Sequence, residues 1–301
     1  YSLKHWDHYA DIDNHRQILI LGRPTIEAEE WRSFDDEPAF VTRSIAKKLT
    51  IHSLEEVCRL LNGSFALLIM NSNEQKLTIV RDKLGVYPIF VTNKNDPDRI
   101  QISTHPDLLA RIILDPRLDD VSVAEFLCDG YVSHPHTFYK EISSLNPGSF
   151  LQIDFKRQIV SEKKYFSQNS DLCYDFNYMK KELTESLYKS IERRTNTHYG
   201  KTGVLLSGGG DSRPLVVHSI TKPVAFTSYF SKNHELNVAS EVATRLGLEH
   251  VFIKRTSDSM LHGLTESPYY TGGMSTGGSA TFLELLNNTA AKEIDNLLTG
   301  D

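Results

Sequence analysis

The run Val204-Leu205-Leu206-Ser207-Gly208-Gly209-Gly210-Asp211-Ser212 decides the reading of this chain. Residues 203–206 form a short apolar strand, residues 207–212 a glycine-rich loop, and residues 214–220 a helix. Pro214 lies near the helix start, where the missing N–H costs little. Successive backbone N–H groups in such a loop make an anion-binding nest, and a helix start adds partial positive charge. Glycine lets the backbone approach an anion closely, and Ser207 and Ser212 add hydroxyl donors. Asp211 is a carboxylate in a place made for anions, and it makes sense if Mg²⁺ stands between it and a phosphate. The spacing is neither Gly-x-Gly-x-x-Gly nor a Walker loop, which needs Gly-Lys-Ser/Thr. An ordinary glycine turn is the competing reading; the strand before the loop and the Asp-Ser pair within it favour a nucleotide phosphate site.

Outward from this loop the pattern alternates. Residues 224–229 and 250–253 read as strands, residues 235–246 as a helix carrying Val238, Val242 and Leu246, residues 281–286 with Ala290 as a helix, and residues 296–299 as a fourth strand. Alternating β and α units predict a doubly wound parallel sheet. Before the loop, Met179, Leu183, Leu187 and Ile191 recur every four residues, which predicts an amphipathic helix over 175–194. Residues 166–175 are polar and aperiodic and read as a linker. Residues 1–165 read mostly as short strands, at 17–21, 65–70, 76–81, 86–92, 100–103 and 150–155, with helices at 53–61 and 122–127 and a turn at Asn62-Gly63. This part is expected to be an α+β sandwich.

The 301 residues suit two domains, and 40% hydrophobic with 24% charged content is that of a folded globular chain. A net charge of −6 disfavours a general nucleic-acid binder. Cys58, Cys128 and Cys173 are too few and too scattered for a disulfide framework or a cysteine metal site, so a reducing, cytoplasmic setting is expected. No apolar run approaches the length of a membrane span. The chain opens on Tyr1 and closes on an apolar strand running into Asp301, so it is expected to be a fragment.

The loop at 204–212 resembles the pyrophosphate loop of N-type ATP pyrophosphatases. Leu61-Asn62-Gly63-Ser64-Phe65-Ala66 and the run from Arg81 through Asp82, Gly85, Tyr87 and Pro88 to Phe90 resemble the latter half of a class II glutamine amidotransferase domain. The run from Thr137 through Tyr139, Leu145 and Pro147 to Gly148 is similar to the joining segment of asparagine synthetases. Glu235, Ala239, Val242, Ala243, Leu246, Gly247 and His250 match the spacing of the helix and strand that follow their ATP loop.

The resemblance to the asparagine synthetase family implies an Ntn-hydrolase-like α+β domain over 1–165 and a Rossmann-like ATP pyrophosphatase domain over 173–301. It implies ATP and Mg²⁺ as cofactors. Ser207, Gly208, Gly209, Gly210 and Ser212 would hold the pyrophosphate and Asp211 the metal. Leu206 and Ser228 would flank the adenine through backbone groups, and Thr299-Gly300 would begin a second ATP loop. The implied reaction is adenylation of a carboxylate followed by capture by ammonia or an amine, giving an amide, AMP and pyrophosphate. The implied partners are that carboxylate and nitrogen donor, with no nucleic acid and no membrane; a homodimer is left open.

The sequence departs from the pattern in four places. Leu21-Gly22-Arg23 stands where the family has its glutamine-binding Asn-Gly-Glu, and Val41-Thr42 where it has Ser-Asp. Gly210 replaces a usual Leu, and Arg213 a usual Ser or Thr. No catalytic residue is assigned, because none of the cysteines suits the N-terminal nucleophile of glutamine-using members. Two alternatives stay open: a glutamine-independent enzyme of the β-lactam synthetase or lasso-peptide cyclase kind, and a non-catalytic scaffold. Arg81-Asp82 is expected to be a buried ion pair, Cys58 and Cys128 buried hydrophobes, and His5 and His8 solvated loop residues. Tyr269, Tyr270, Gly272, Gly273 and Met274 are expected either to shape a substrate pocket or to form a surface loop.

Overall fold

The computed structural model describes residues 8–26, 40–168, 175–274, 283, 285–286 and 292–300. They fall into two compact units, one drawn from 1–26, 39–169 and 268–276, the other from 27–38, 170–267 and 277–301.

The first unit runs β1 (Tyr9–Asp11), β2 (Arg16–Thr25), α1 (Phe40–Ile51), α2 (Leu54–Leu60), β3 (Asn62–Asn71), β4 (Lys76–Arg81), β5 (Phe90–Thr92), β6 (Gln101–Ser103), α3 (Pro106–Ala110), α4 (Asp120–Asp129), β7 (Ile142–Ser144), β8 (Ser149–Asp154) and β9 (Ile159–Lys164). A six-stranded antiparallel sheet has the order β1-β2-β3-β4-β8-β9, and a three-stranded sheet the order β6-β5-β7. Strand β3 is buried on both faces, which is why its sequence is a nearly unbroken apolar run rather than an alternation. Its Ala66 face joins Ile79, Leu151 and Ile153 to Val91 of the smaller sheet and to Leu145 in one core. The two sheets therefore stack as the expected sandwich. On the opposite face Leu67 and Ile69 pair with Ile20 and Ile18, on the side of the sheet that α1 covers. Helix α2 opens on a reciprocal capping box between Ser53 and Glu56, the signature its Ser-x-x-Glu spacing encodes.

Several local expectations need correction. Asn62-Gly63 is no turn; both residues lie in β3, paired with Thr25 and Pro24. Gly63 sits at φ +93°, and a Cβ there would meet the Arg23 carbonyl oxygen at 2.5 Å. The strand expected at 86–92 begins only at Phe90, because residues 82–88 are held as a loop. Arg81 and Asp82 do this without bonding each other. The Asp82 carboxylate accepts from the amides of Leu84 (3.1 Å), Val86 (3.0 Å) and Tyr87 (2.8 Å). The Arg81 guanidinium donates to the Tyr87 carbonyl (2.9 Å), Ser144 Oγ (2.7 Å) and the carbonyls of Leu145 and Gly85. Both are buried, and backbone groups together with Ser144 Oγ supply the partners that the expected ion pair would have supplied. Cys58 is buried as expected, but Cys128 is exposed. His8 lies outside the strands, as expected, but is half-buried, with its Nδ1 3.0 Å from the Ile20 carbonyl oxygen. His5 and Cys173 lie outside the described residues.

The second unit contains α5 (Phe176–Arg194), β10 (Thr202–Leu205), α6 (Ser212–Val217), β11 (Val224–Tyr229), α7 (His234–Leu246), β12 (His250–Lys254), the start of α8 (Ser257–Thr271), and β13 (Asn296–Leu298). Asp175 caps α5 by accepting from the amides of Asn177 and Tyr178. Of the four-residue stripe on that helix only Ile191 is buried; Met179, Leu183 and Leu187 are exposed. Helix α6 starts and stops earlier than expected, at Ser212 and Val217.

The four strands pair in parallel in the order β12-β11-β10-β13. Val204, Leu206 and Ala225 pack against Val216 of α6 and against Ala239 and Ala243 of α7. Val224, Phe226 and Ile253 pack with Leu285 in a separate core. Ala239 and Ala243, rather than Val238, form the centre of the buried face of α7, and such small residues let a helix approach a sheet closely. The helix expected at 281–286 with Ala290 is helical at its described residues 283, 285 and 286; the others lie outside the described residues. Strand order reverses at β10, so the loops after β10 and β13 flank a switch point, where parallel sheets open a crevice for ligands.

Candidate functional site

The loop after β10 is organised by its two serines. The amide of Ser207 donates to Ser212 Oγ (3.0 Å), which lies 3.2 Å from the Ser207 carbonyl oxygen. The two hydroxyls are 3.1 Å apart, and the Gly209 amide donates to Ser207 Oγ (3.2 Å). Ser212 is buried, so its hydroxyl pins the loop, whereas Ser207 is exposed. Among the described residues the amides of Gly208, Gly210 and Asp211 have no protein partner. Helix α6 has only six residues, so these amides, more than a helix dipole, would have to attract an anion.

Two glycines are set by close approach. A Cβ on Gly208 would come within 2.6 Å of Glu235 Cα, and one on Gly300 within 2.8 Å of the Ser212 amide nitrogen. The start of α7 and the Thr299-Gly300 segment therefore close around the loop on separate sides. Gly210 has open space, its nearest neighbour being Arg213 Nη2 at 4.0 Å. Arg213 folds back to donate from Nε to the Gly209 carbonyl (3.0 Å).

A cavity of about 320 Å³ opens beside the loop, over the ends of β10, β11 and β12. Leu206, Ser207 and Ser228 line it, so the sequence reading brought three of its residues to one place. Leu206 is more committed than expected. Its amide donates to the Phe226 carbonyl (2.8 Å), and its carbonyl accepts from Thr227 Oγ1 (2.7 Å). Thr227 Oγ1 also lies 2.7 Å from His250 Nε2. Since the threonine proton goes to Leu206, the imidazole donates from Nε2. Burial holds the His250 pKa below its ordinary value. Leu206 can thus offer a ligand only its remaining carbonyl lone pair.

The sequence reading missed Thr227, Phe230 and Arg255 and had His250 only as part of a spacing match, since isolated residues at strand ends follow no pattern. Tyr269 and Tyr270 are exposed at the end of α8.

Among the described residues no group of three His, Cys, Asp or Glu could hold a metal by itself. Asp211 is exposed and makes no capping bond, which leaves its carboxylate available. One carboxylate completed by phosphate oxygens and water is how Mg²⁺ is commonly held, so the residues present fit that ion.

A glutamine amidotransferase domain matches residues 42–166, and an asparagine synthase domain matches residues 182–301. The chain thus joins an amidotransferase-type unit to a synthetase-type unit. Asparagine synthetase [glutamine-hydrolyzing] 1 of Bacillus subtilis is 26% identical over 83% of this chain and 40% of its own length. A putative asparagine synthetase [glutamine-hydrolyzing] of Mycobacterium bovis is 22% identical over 82% of this chain and 39% of its own length. The chain belongs to the asparagine synthetase family, and it spans 40% and 39% of the length of these two relatives. A solved glutamine-dependent NAD⁺ synthetase from Acinetobacter baumannii aligns with 53% of this chain and 30% of its own, at 15% identity and a TM-score of 0.28. Among the described residues no helix is long and apolar enough to cross a membrane.

Proposed function

We propose that this chain carries the ATP site of an AMP-forming amide ligase, with an Ntn-hydrolase-like unit preceding a Rossmann-like ATP pyrophosphatase unit. The observation that carries the reading is the loop at 207–212, which its two serines organise, which leaves the amides of Gly208, Gly210 and Asp211 without a partner among the described residues, and whose Ser207 lines a cavity of about 320 Å³. Those amides and the Ser207 hydroxyl bind the diphosphate that leaves; Asp211 would hold Mg²⁺, which would supply charge neutralisation there. A substrate carboxylate oxygen attacks the α-phosphorus, the bond to the bridging oxygen breaks, and pyrophosphate departs. A nitrogen nucleophile then attacks the acyl carbon of the adenylate, forming the amide and releasing AMP. The chain's own contribution is alignment and preorganised charge stabilisation. Thr299 and Gly300 close the loop from the β13 side. Localisation in the cytoplasm belongs to the same reading.

A second reading concerns the nitrogen source. The family's glutamine-binding carboxylates are replaced here by Arg23 and by Thr42, which is buried. Gly22 is kept for a structural reason, since a Cβ there would meet the Ser64 carbonyl oxygen at 2.4 Å. This favours an amine already present in the substrate over ammonia from glutamine. The test is carboxylate-dependent exchange of labelled pyrophosphate into ATP by the full-length protein, followed by amide formation with and without glutamine. No exchange with any carboxylate sinks the ligase reading; amide formation only with glutamine sinks the second.

A further inference from the structure

The cavity beside the loop has a charged end that no family motif accounts for. Among the described residues that line it Arg255 is the one basic side chain. Its amide donates to the Tyr229 carbonyl (2.7 Å), which anchors the residue just past β12. Its guanidinium carbon stands 4.6 Å from the centre of the Phe230 ring, within cation–π range. Its Nε is buried and has no hydrogen-bond partner among the described residues. Folded proteins leave few buried donors unpaired, because the unmade bond is costly.

The sheet order fixes which part of a ligand would supply the missing acceptor. The phosphate loop follows β10 and Arg255 follows β12, with β11 between them. Two strand spacings put about 10 Å between these ends. With a diphosphate held at 207–211, the part of the same nucleotide that extends across β11 toward Arg255 would be its base. Arginine has donors and no acceptor, so the group it meets is a lone pair.

Building on the nucleotide reading above, we infer that Arg255 anchors the base: its Nε–H donates to a ring nitrogen of the adenine, with Phe230 holding the guanidinium in place. The full-length protein is titrated with Mg²⁺-ATP, with 1-deaza-, 3-deaza- and 7-deaza-ATP, and with Mg²⁺-pyrophosphate. One deaza analogue is expected to bind roughly 10- to 100-fold more weakly than ATP, the effect of losing a hydrogen bond to a charged donor. Arg255→Met and Arg255→Lys are expected to bind ATP as weakly as that analogue and to lose the discrimination, while pyrophosphate binding stays unchanged. Both variants keep the backbone bond to Tyr229, and melting curves check their folding. Equal binding of all three analogues and ATP by the wild type overturns the inference without using any variant. Unchanged ATP affinity in both variants also overturns it, as expected if water pairs the Nε, and so does a parallel loss of pyrophosphate. If the wild type binds neither ATP nor pyrophosphate, the nucleotide reading itself fails; if it binds pyrophosphate and only the Arg255 results miss, the failure belongs to this inference alone.

Discussion

Replacing Gly208 by alanine tests the loop most directly. The added Cβ would stand 2.6 Å from Glu235 Cα and 2.9 Å from the Glu235 carbonyl oxygen. Both are backbone atoms, so no side chain can swing aside. Ordinary contact begins at 3.4 Å, so loop and helix must part by about 0.8 Å. Overpacking of this kind costs about 1–3 kcal/mol, and at roughly 2–4 °C per kcal/mol for a larger domain the melting temperature falls by several degrees. Glu235 also lines the cavity, so ATP affinity falls more than stability alone accounts for. Gly210→Ala is the matched control, since its Cβ meets nothing nearer than Arg213 Nη2 at 4.0 Å. Both glycines have negative φ, so steric contact separates them and backbone strain does not. Thermal melting and calorimetric titration with Mg²⁺-ATP on the full-length protein measure the two effects. Equal behaviour of the two variants, or wild-type melting and affinity in Gly208→Ala, refutes the argument that close approach of α7 fixes this loop.

Two further outcomes are expected. Burial keeps His250 from protonating as readily in the folded state as at its ordinary 6.5; the unfolded chain takes up the proton first, so stability begins to fall as pH drops past about 6.5 and keeps falling until the folded imidazole titrates. His250→Gln should flatten this dependence in melts taken between pH 5 and 8, and an unaltered slope counts against it. Burial also pushes the Cys58 thiol up to about 12, and Cys128 is exposed. Brief iodoacetamide treatment of the native protein, read by mass spectrometry, should label Cys128 and spare Cys58 until denaturant is added; early labelling of Cys58 would contradict its placement in the core.

The parallel sheet was legible because every strand after residue 200 is a short apolar run next to a glycine or a polar break, and the phosphate loop because its spacing is local. The first unit was harder. Helix α1 went unread although Val41, Ile45 and Leu49 recur every four residues and are buried, the same spacing that marked α5. Strand β9 was unread because its residues are mostly exposed and charged; its pairing with β8 supplies what its composition does not. The network from His250 through Thr227 to Leu206 joins positions 206, 227 and 250, which only the parallel register brings together. No linear pattern encodes such a contact.

The two departures in the loop become one once the side chains are placed. Where the family has Leu, Gly210 leaves open space, and the Arg213 guanidinium approaches it, with Nη2 4.0 Å from where a Cβ would stand. Its Nε bonds the Gly209 carbonyl (3.0 Å). Glycine at 210 frees the unfolded chain and costs about 0.5–1 kcal/mol relative to alanine in regular structure. A side chain tied across the following turn offsets a cost of that order, since a net hydrogen bond contributes about 0.5–1.5 kcal/mol. The exchange also replaces an apolar side chain and a neutral hydroxyl with a positive charge near Gly210. A loop losing its purpose would have no reason to gain a cation beside an anion nest. In the phosphate site proposed above, a cation at this position would add to the attraction of the loop for an anion.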